Sequence, residues 1–284
     1  MHDPKMITGR GDGVKIQLAE WSGREQTILC IHGITANCRC WDLVASTLAP
    51  DYRVLAMDLR GRGGSDKPAT GYSIEQHGRD ILALLDDLNV KRPVLMGHSL
   101  GAFISLAFAA HYPDRVERVV LVDGGGDLTQ EEMDKVFAGI KPSLDRLGKI
   151  FPSTQAYLEN MKQAPYIQPW SSFLETYYRW EIMEVPGGVQ TNIDPLHIEE
   201  EAANVKKMAA ASLYPKIACK VLILRATQGL LAQDDILLPE PVVKRMVSEI
   251  PHARYVDIKG TNHYGIIFQP DRVRDEALRS FLKE

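Results

Sequence analysis

No uninterrupted apolar run in this 284-residue chain approaches the length that spans a bilayer. The first residues, Met1 to Gly11, also lack the apolar stretch of a signal peptide. Together these absences point to a cytoplasmic location and no membrane partner. A basic stripe is missing too: 33 Lys and Arg against 37 Asp and Glu leave a net charge of -4, which argues against a nucleic-acid partner. Cysteine is scarce, with residues only at 30, 38, 40 and 219. Cys30 and Cys219 fall in or beside apolar runs, where a free thiol behaves as a small hydrophobe. Cys38 and Cys40 have no His or Cys companions at metal-ligand spacing, so neither zinc nor a disulfide is expected. Internal repeats and low-complexity stretches are absent as well.

What is present is an ordinary globular composition, 45% hydrophobic and 25% charged, on a chain long enough for one large α/β domain carrying an insertion. Val14 to Trp21 alternates apolar and polar residues, as an edge strand does. Thr27 to Ile31, Tyr52 to Met57, Arg92 to Met96 and Val116 to Asp123 are nearly continuous apolar runs that read as buried strands. Between them lie helical patterns: one from Trp41 through Leu48, another behind the capping box Ser73-Ile74-Glu75-Gln76, and a third from Ala102 to Ala110. Strands alternating with helices predict βαβ units around a mostly parallel sheet. From about Asp127 to Tyr214 the pattern is helical with few strand candidates. Strand runs resume at Lys220 to Arg225 and Arg254 to Ile258, with helices near Pro239 and from Val273 to Phe281. The middle segment therefore reads as a lid inserted over the strand ends.

The chemistry centres on Gly97-His98-Ser99-Leu100-Gly101, placed between a strand and a helix. Such a turn holds its serine in strained geometry beside the first helical amides, which have no intrahelical acceptors. A serine hydroxyl needs a base, and the base needs a third group to orient it. Among eight histidines, His263 in Gly260-Thr261-Asn262-His263-Tyr264-Gly265 follows the last strand, at the sheet edge that Ser99 occupies. His77, His111, His197 and His252 have the surroundings of surface residues. His32 is expected to make structural hydrogen bonds, and the His98 side chain to point away from the chemistry. For the acid, Asp234 and Asp235 follow the strand at 220–225; Asp235 is preferred, and Asp123 is the candidate outside that loop. The amides of Leu100 and of Ile34, in His32-Gly33-Ile34, would bind an oxyanion. The glycine-rich run Asp58 to Asp66 lacks the Lys-Ser/Thr ending of a P-loop and reads as a structural turn.

His32-Gly33, Asp58 to Asp66, Gly97 to Gly101 and Gly260 to His263 together resemble the α/β-hydrolase superfamily, in its capped serine esterase and lactonase-like branch. The resemblance covers residues 14–123 and 215–284. It implies an α/β-hydrolase fold: a doubly wound, mostly parallel sheet, with a helical cap inserted after the strand that follows the nucleophile helix. Residues 1–123 and 215–284 would form the catalytic domain and 124–214 the cap. It also implies a Ser-acid-His triad needing no metal or organic cofactor. The family usually carries Gly-x-x-Asp-x-x-x-Pro after the strand matching 220–225. Here Ala226 to Ala232 lengthens that loop, and counting back from Pro239 points to Asp235. A serine at 99 sets the chain apart from epoxide hydrolases and haloalkane dehalogenases, which have aspartate there.

The cap holds an aromatic group that includes Trp170, Phe173 and Tyr177 at helical spacing, suited to packing the lid down or to walling an apolar pocket. No cap residue is singled out as a substrate contact. The expected reaction is hydrolysis of small, fairly apolar esters or lactones. Two alternatives keep the fold: hydrolytic carbon–carbon cleavage of a vinylogous diketone, and a slow-turnover small-molecule receptor. Apolar cap helices could also serve a homodimer contact.

Overall fold

The computed structural model describes residues 3–232 and 235–284. Its strands are β1 (Lys5–Arg10), β2 (Lys15–Trp21), β3 (Glu25–Ile31), β4 (Tyr52–Met57), β5 (Val94–His98), β6 (Arg118–Val122), β7 (Ile182–Val185), β8 (Gly188–Thr191), β9 (Lys220–Ala226) and β10 (Ala253–Ile258). The helices are α1 (Asp42–Leu48), α2 (Ile74–Asp87), α3 (Leu100–His111), α4 (Gln130–Gly139), α5 (Lys141–Asp145), α6 (Thr154–Lys162), α7 (Ser172–Trp180), α8 (Pro195–Val205), α9 (Glu240–Glu249), α10 (Gly265–Phe268) and α11 (Arg272–Leu282).

Eight strands form one sheet in the order β1-β2-β4-β3-β5-β6-β9-β10. The pairs β1/β2 and β2/β4 are antiparallel, and every pairing from β4 through β10 is parallel. Continuous apolar runs pack on both faces: every residue of β5 is buried, and α3 behind it is apolar nearly all round. The run 14–21 is not an edge strand, because β1 lies outside it. Chain order reverses at β3, which pairs with β4 on one side and β5 on the other. The crevice beyond the C-terminal ends of β3 and β5 is thus a topological switch point, where such sheets bind ligands.

Between β6 and β9 lie α4 to α8 and the antiparallel hairpin β7–β8, none of which joins the main sheet. The hairpin was not expected from the helical pattern of 127–214. Its two-residue turn, Pro186-Gly187, followed by Gly188, carries the sequence signal that would have found it. All four cysteines are free thiols, and Cys30, Cys38 and Cys40 are buried.

The turn between β5 and α3 depends on two missing side chains. A Cβ on Gly97 would lie 2.0 Å from the Gly101 carbonyl oxygen, and one on Gly101 would lie 2.0 Å from that of Ile31. Neither backbone can retreat without tearing the sheet. Gly101→Ala is therefore expected to cost about 3 kcal/mol of stability, read as a lower urea midpoint. An unchanged midpoint would show that strand and helix are not pressed together there.

Candidate active site

Ser99 sits at φ 55° and ψ -118°, a conformation that costs a non-glycine residue on the order of 1–3 kcal/mol. Backbone bonds on both sides hold it: its N–H donates to Val122 O at 3.1 Å, and its carbonyl accepts from Ala102 N at 2.9 Å. The side chain is left half-buried on the floor of a cavity of about 30 Å3.

His263 lines the same cavity, on the loop between β10 and α10. Asn262 shapes that loop, accepting from the N–H groups of Tyr264 at 3.1 Å and Gly265 at 2.8 Å. The Nδ1 of His263 is 2.8 Å from Asp123 Oδ2, with both side chains buried. A carboxylate can only accept, so the proton stays on Nδ1 and Nε2 keeps its lone pair. Among the described residues no hydrogen bond joins that ring to Ser99 Oγ; they share the cavity, and such bonds often tighten only with substrate bound.

Asp123 is the residue directly after β6, with φ 47°. Its N–H donates to Leu224 O at 2.8 Å, and its Oδ1 accepts from Ala226 N at 3.0 Å. The carboxylate thus lies across the ends of β6 and β9 and turns its second oxygen to His263.

Asp235, the preferred acid from the sequence, does not meet His263. Its Oδ1 accepts from Leu230 N at 2.6 Å, and its Oδ2 accepts from Leu231 N at 2.7 Å and Ala232 N at 3.0 Å. The lengthened loop after β9 folds its own amides around that carboxylate and leaves it no oxygen to spare. The expectation is corrected accordingly: the acid at His263 is Asp123. Asp234 lies outside the described residues.

The loop after β3 supplies the opposite wall. His32 Nδ1 donates to Gly33 O at 2.7 Å while its Nε2 accepts from Leu59 N at 3.0 Å. In a trans peptide the C=O and N–H point opposite ways, so gripping Gly33 O also fixes the direction of the Ile34 N–H. Gly33 serves space here: a Cβ on it would stand 3.2 Å from Ser99 Cβ and 3.6 Å from Ser99 Oγ. Leu100, first residue of α3, has an N–H with no intrahelical acceptor. Ile34 lines the same cavity as Ser99, and Leu100 follows Ser99 at the start of α3.

The cavity walls are apolar at Ile140, Ile267 and Phe268, and Tyr177 and Tyr264 add hydroxyls. Burial pushes both phenols well above their ordinary range, so they stay protonated donors at neutral pH. Tyr264 hydrogen-bonds Ser143 of α5. Among the described residues no group of three His, Cys, Asp or Glu side chains is placed to hold a metal ion.

Sequence reasoning missed His98 and His77. His98 is buried rather than turned away: its Nε2 donates to His263 O at 2.9 Å, and the two rings lie 4.3 Å apart. His77 and His197 are not surface residues either: both are buried, and His77 Nε2 is 2.8 Å from Glu201 Oε2. A histidine amid apolar residues at helical spacing on α2 was the available signal.

Burial lowers the His32 pKa from 6.5 to about 3, and burial together with the neighbouring His263 ring pushes His98 well below 6.5. Both imidazoles are therefore neutral in the fold, whereas in the unfolded chain they take up protons below 6.5. The unfolded state then binds more protons, so stability is complete above that pH and falls as pH drops toward 3. Each ring contributes roughly 1 kcal/mol per pH unit. Denaturation at pH 7.5 and at pH 5 is expected to differ by a few kcal/mol; equal stability would contradict neutral burial.

Residues 26–270 match a family model described as alpha/beta hydrolase fold. An uncharacterized protein of Mycobacterium tuberculosis is 40% identical over 105 residues, 37% of this chain, and the match spans about a third (31%) of that protein's length. A 3-hydroxybutyrate-oligomer hydrolase of Cupriavidus necator is 27% identical over 275 residues, covering 89% of this chain and 88% of that one. The crystal structure of E-2-(acetamidomethylene)succinate hydrolase superposes with a TM-score of 0.85 at 25% identity, over 99% of this chain and 100% of that one.

Proposed function

The chain belongs to the alpha/beta hydrolase fold family, and from that premise we propose that it is a serine hydrolase of small carboxylic esters or lactones. One observation carries the reading: a strained serine shares a cavity with a histidine whose Nδ1 is 2.8 Å from a buried aspartate. The aligned hydroxybutyrate-oligomer hydrolase supports a hydrolytic reaction.

Ser99 Oγ attacks the carbonyl carbon as His263 Nε2 takes the hydroxyl proton. Asp123 holds the ring and stabilises the imidazolium that forms. The carbonyl oxygen becomes an oxyanion between the Ile34 and Leu100 N–H groups, each worth about 3 kcal/mol in rate. Collapse breaks the C–O bond, and His263 passes its proton to the departing alkoxide. Water then gives its proton to His263 and attacks the acyl-serine; the proton returns to Ser99 as the acid departs. The narrow, apolar cavity under Ile140 and Phe268 suits small acyl groups.

Hydrolysis of p-nitrophenyl esters from C2 to C12, beside simple lactones, tests this. Turnover is expected to peak at short chains. No ester or lactone turnover, with release of product from ring-fission dienoates instead, would replace the reading with carbon–carbon cleavage.

A further inference from the structure

Three successive carbonyls of the loop after β3 are each held by a buried side chain. His32 takes Gly33 O, Arg62 Nε donates to Ile34 O at 3.1 Å, and Arg146 Nη2 donates to Thr35 O at 2.9 Å. Both arginines are balanced by carboxylates of the cap. Arg62 Nη2 is 2.8 Å from Glu201 Oε2 on α8, with both side chains fully buried. Arg146 makes a fork with Glu181, the residue after α7, at 2.8 and 2.7 Å, and those side chains are 4% and 0% exposed.

A buried guanidinium without its carboxylate is costly, by several kcal/mol. Each arginine must therefore sit where its cap partner sits. Arg62 belongs to the loop after β4, yet its counter-charge arrives with α8. Arg146 belongs to the cap, yet its free donor crosses to Thr35. His32 and Arg62 thus pin the peptide planes on the two sides of Ile34, His32 the one that carries the Ile34 N–H. Arg146 pins the next plane along.

We propose that Glu201–Arg62 and Glu181–Arg146 are positioning pairs through which the docked cap orients the Ile34 amide for the oxyanion. The cap then does more than cover the substrate: displacing it loosens the loop, and Ile34 loses its aim. Burial alone would raise the Glu201 carboxyl, but the charges of His77 and Arg62 outweigh it and hold it down at about 2, so the pair stays ionic throughout the working range. This inference rests on the serine-hydrolase reading above.

The test uses the whole protein with Arg62→Lys and Arg146→Lys, each keeping the charge but losing the planar fork. Rates are expressed per active site titrated, so misfolded molecules do not count. An aryl boronic acid, which becomes a tetrahedral anion on Ser99, probes the oxyanion site directly. Each variant is expected to lose about tenfold or more in kcat, with KM changed by less than about threefold and boronate affinity falling in step with kcat. Wild-type kcat and boronate affinity in either folded variant would overturn the proposal, as would a rise in KM alone. The two arginines hold different carbonyls with separate carboxylate partners, so a variant that does not fold leaves the other to decide. Failure of the hydrolase reading itself would look different: wild-type protein would show neither Ser99-dependent turnover nor boronate binding.

Discussion

Replacing Ser99 by alanine is expected to lower kcat for ester hydrolysis by about four to six orders of magnitude while the protein stays folded. The loss is large because base and acid act only through this oxygen; without it His263 has no proton to take. What remains is the contribution of the oxyanion donors and of substrate binding, about 10³-fold over water. Stability should barely change. The strain at φ 55° belongs to the backbone, which alanine shares, and the hydroxyl fills no gap in the apolar core. Thermal melts of the two proteins are expected to agree within a few degrees, beside a kcat ratio above about 10⁴. A variant within tenfold of wild type would mean that the chemistry lies elsewhere.

Asp123→Asn is expected to cost about four orders of magnitude in kcat, and Asp235→Asn only a few-fold. An amide at 123 has one oxygen, and Ala226 N already claims one side-chain oxygen at 3.0 Å. Its NH₂ group would then face His263 Nδ1, forcing the lone pair onto Nδ1 and the proton onto Nε2. A ring in that tautomer cannot accept the Ser99 proton. At 235 the carboxylate serves three backbone N–H groups of its own loop. The same substitution there sets a donor against a donor, destabilising the loop by about 1–3 kcal/mol without touching His263. Kinetics and melting curves of the pair separate the roles: one variant should be slow and stable, the other active and less stable. The reverse pattern would restore the acid to the loop after β9.

Much of this was legible in the sequence because the carrying signals are local. Val94 to Met96, the glycine spacing at 97 and 101 and the helix behind them report one supersecondary turn. His263 could be placed because every strand of a parallel sheet ends at the same edge. Which carboxylate reaches it could not be read so directly. Strands β6 and β9 are neighbours that end side by side, so acids after either can approach His263. The choice depends on how the loop after β9 folds, and its amides folded around Asp235. The edge strand β1 escaped because Lys5 to Arg10 mixes exposed and half-buried residues and includes a glycine. Nothing local in the sequence marks Glu181 and Glu201 as buried, since burial of a carboxylate depends on a partner distant in sequence. Arg146 meets Glu181 within the cap, and Arg62 meets Glu201 only where the cap docks.

The central claim, that Ser99 is a nucleophile activated by His263, is tested most directly by a fluorophosphonate followed by intact-mass analysis and peptide mapping. A single adduct on Ser99 is predicted, absent from Ser99→Ala and formed far more slowly in His263→Ala. An adduct on another residue, or labelling of Ser99→Ala at the wild-type rate, would contradict the account.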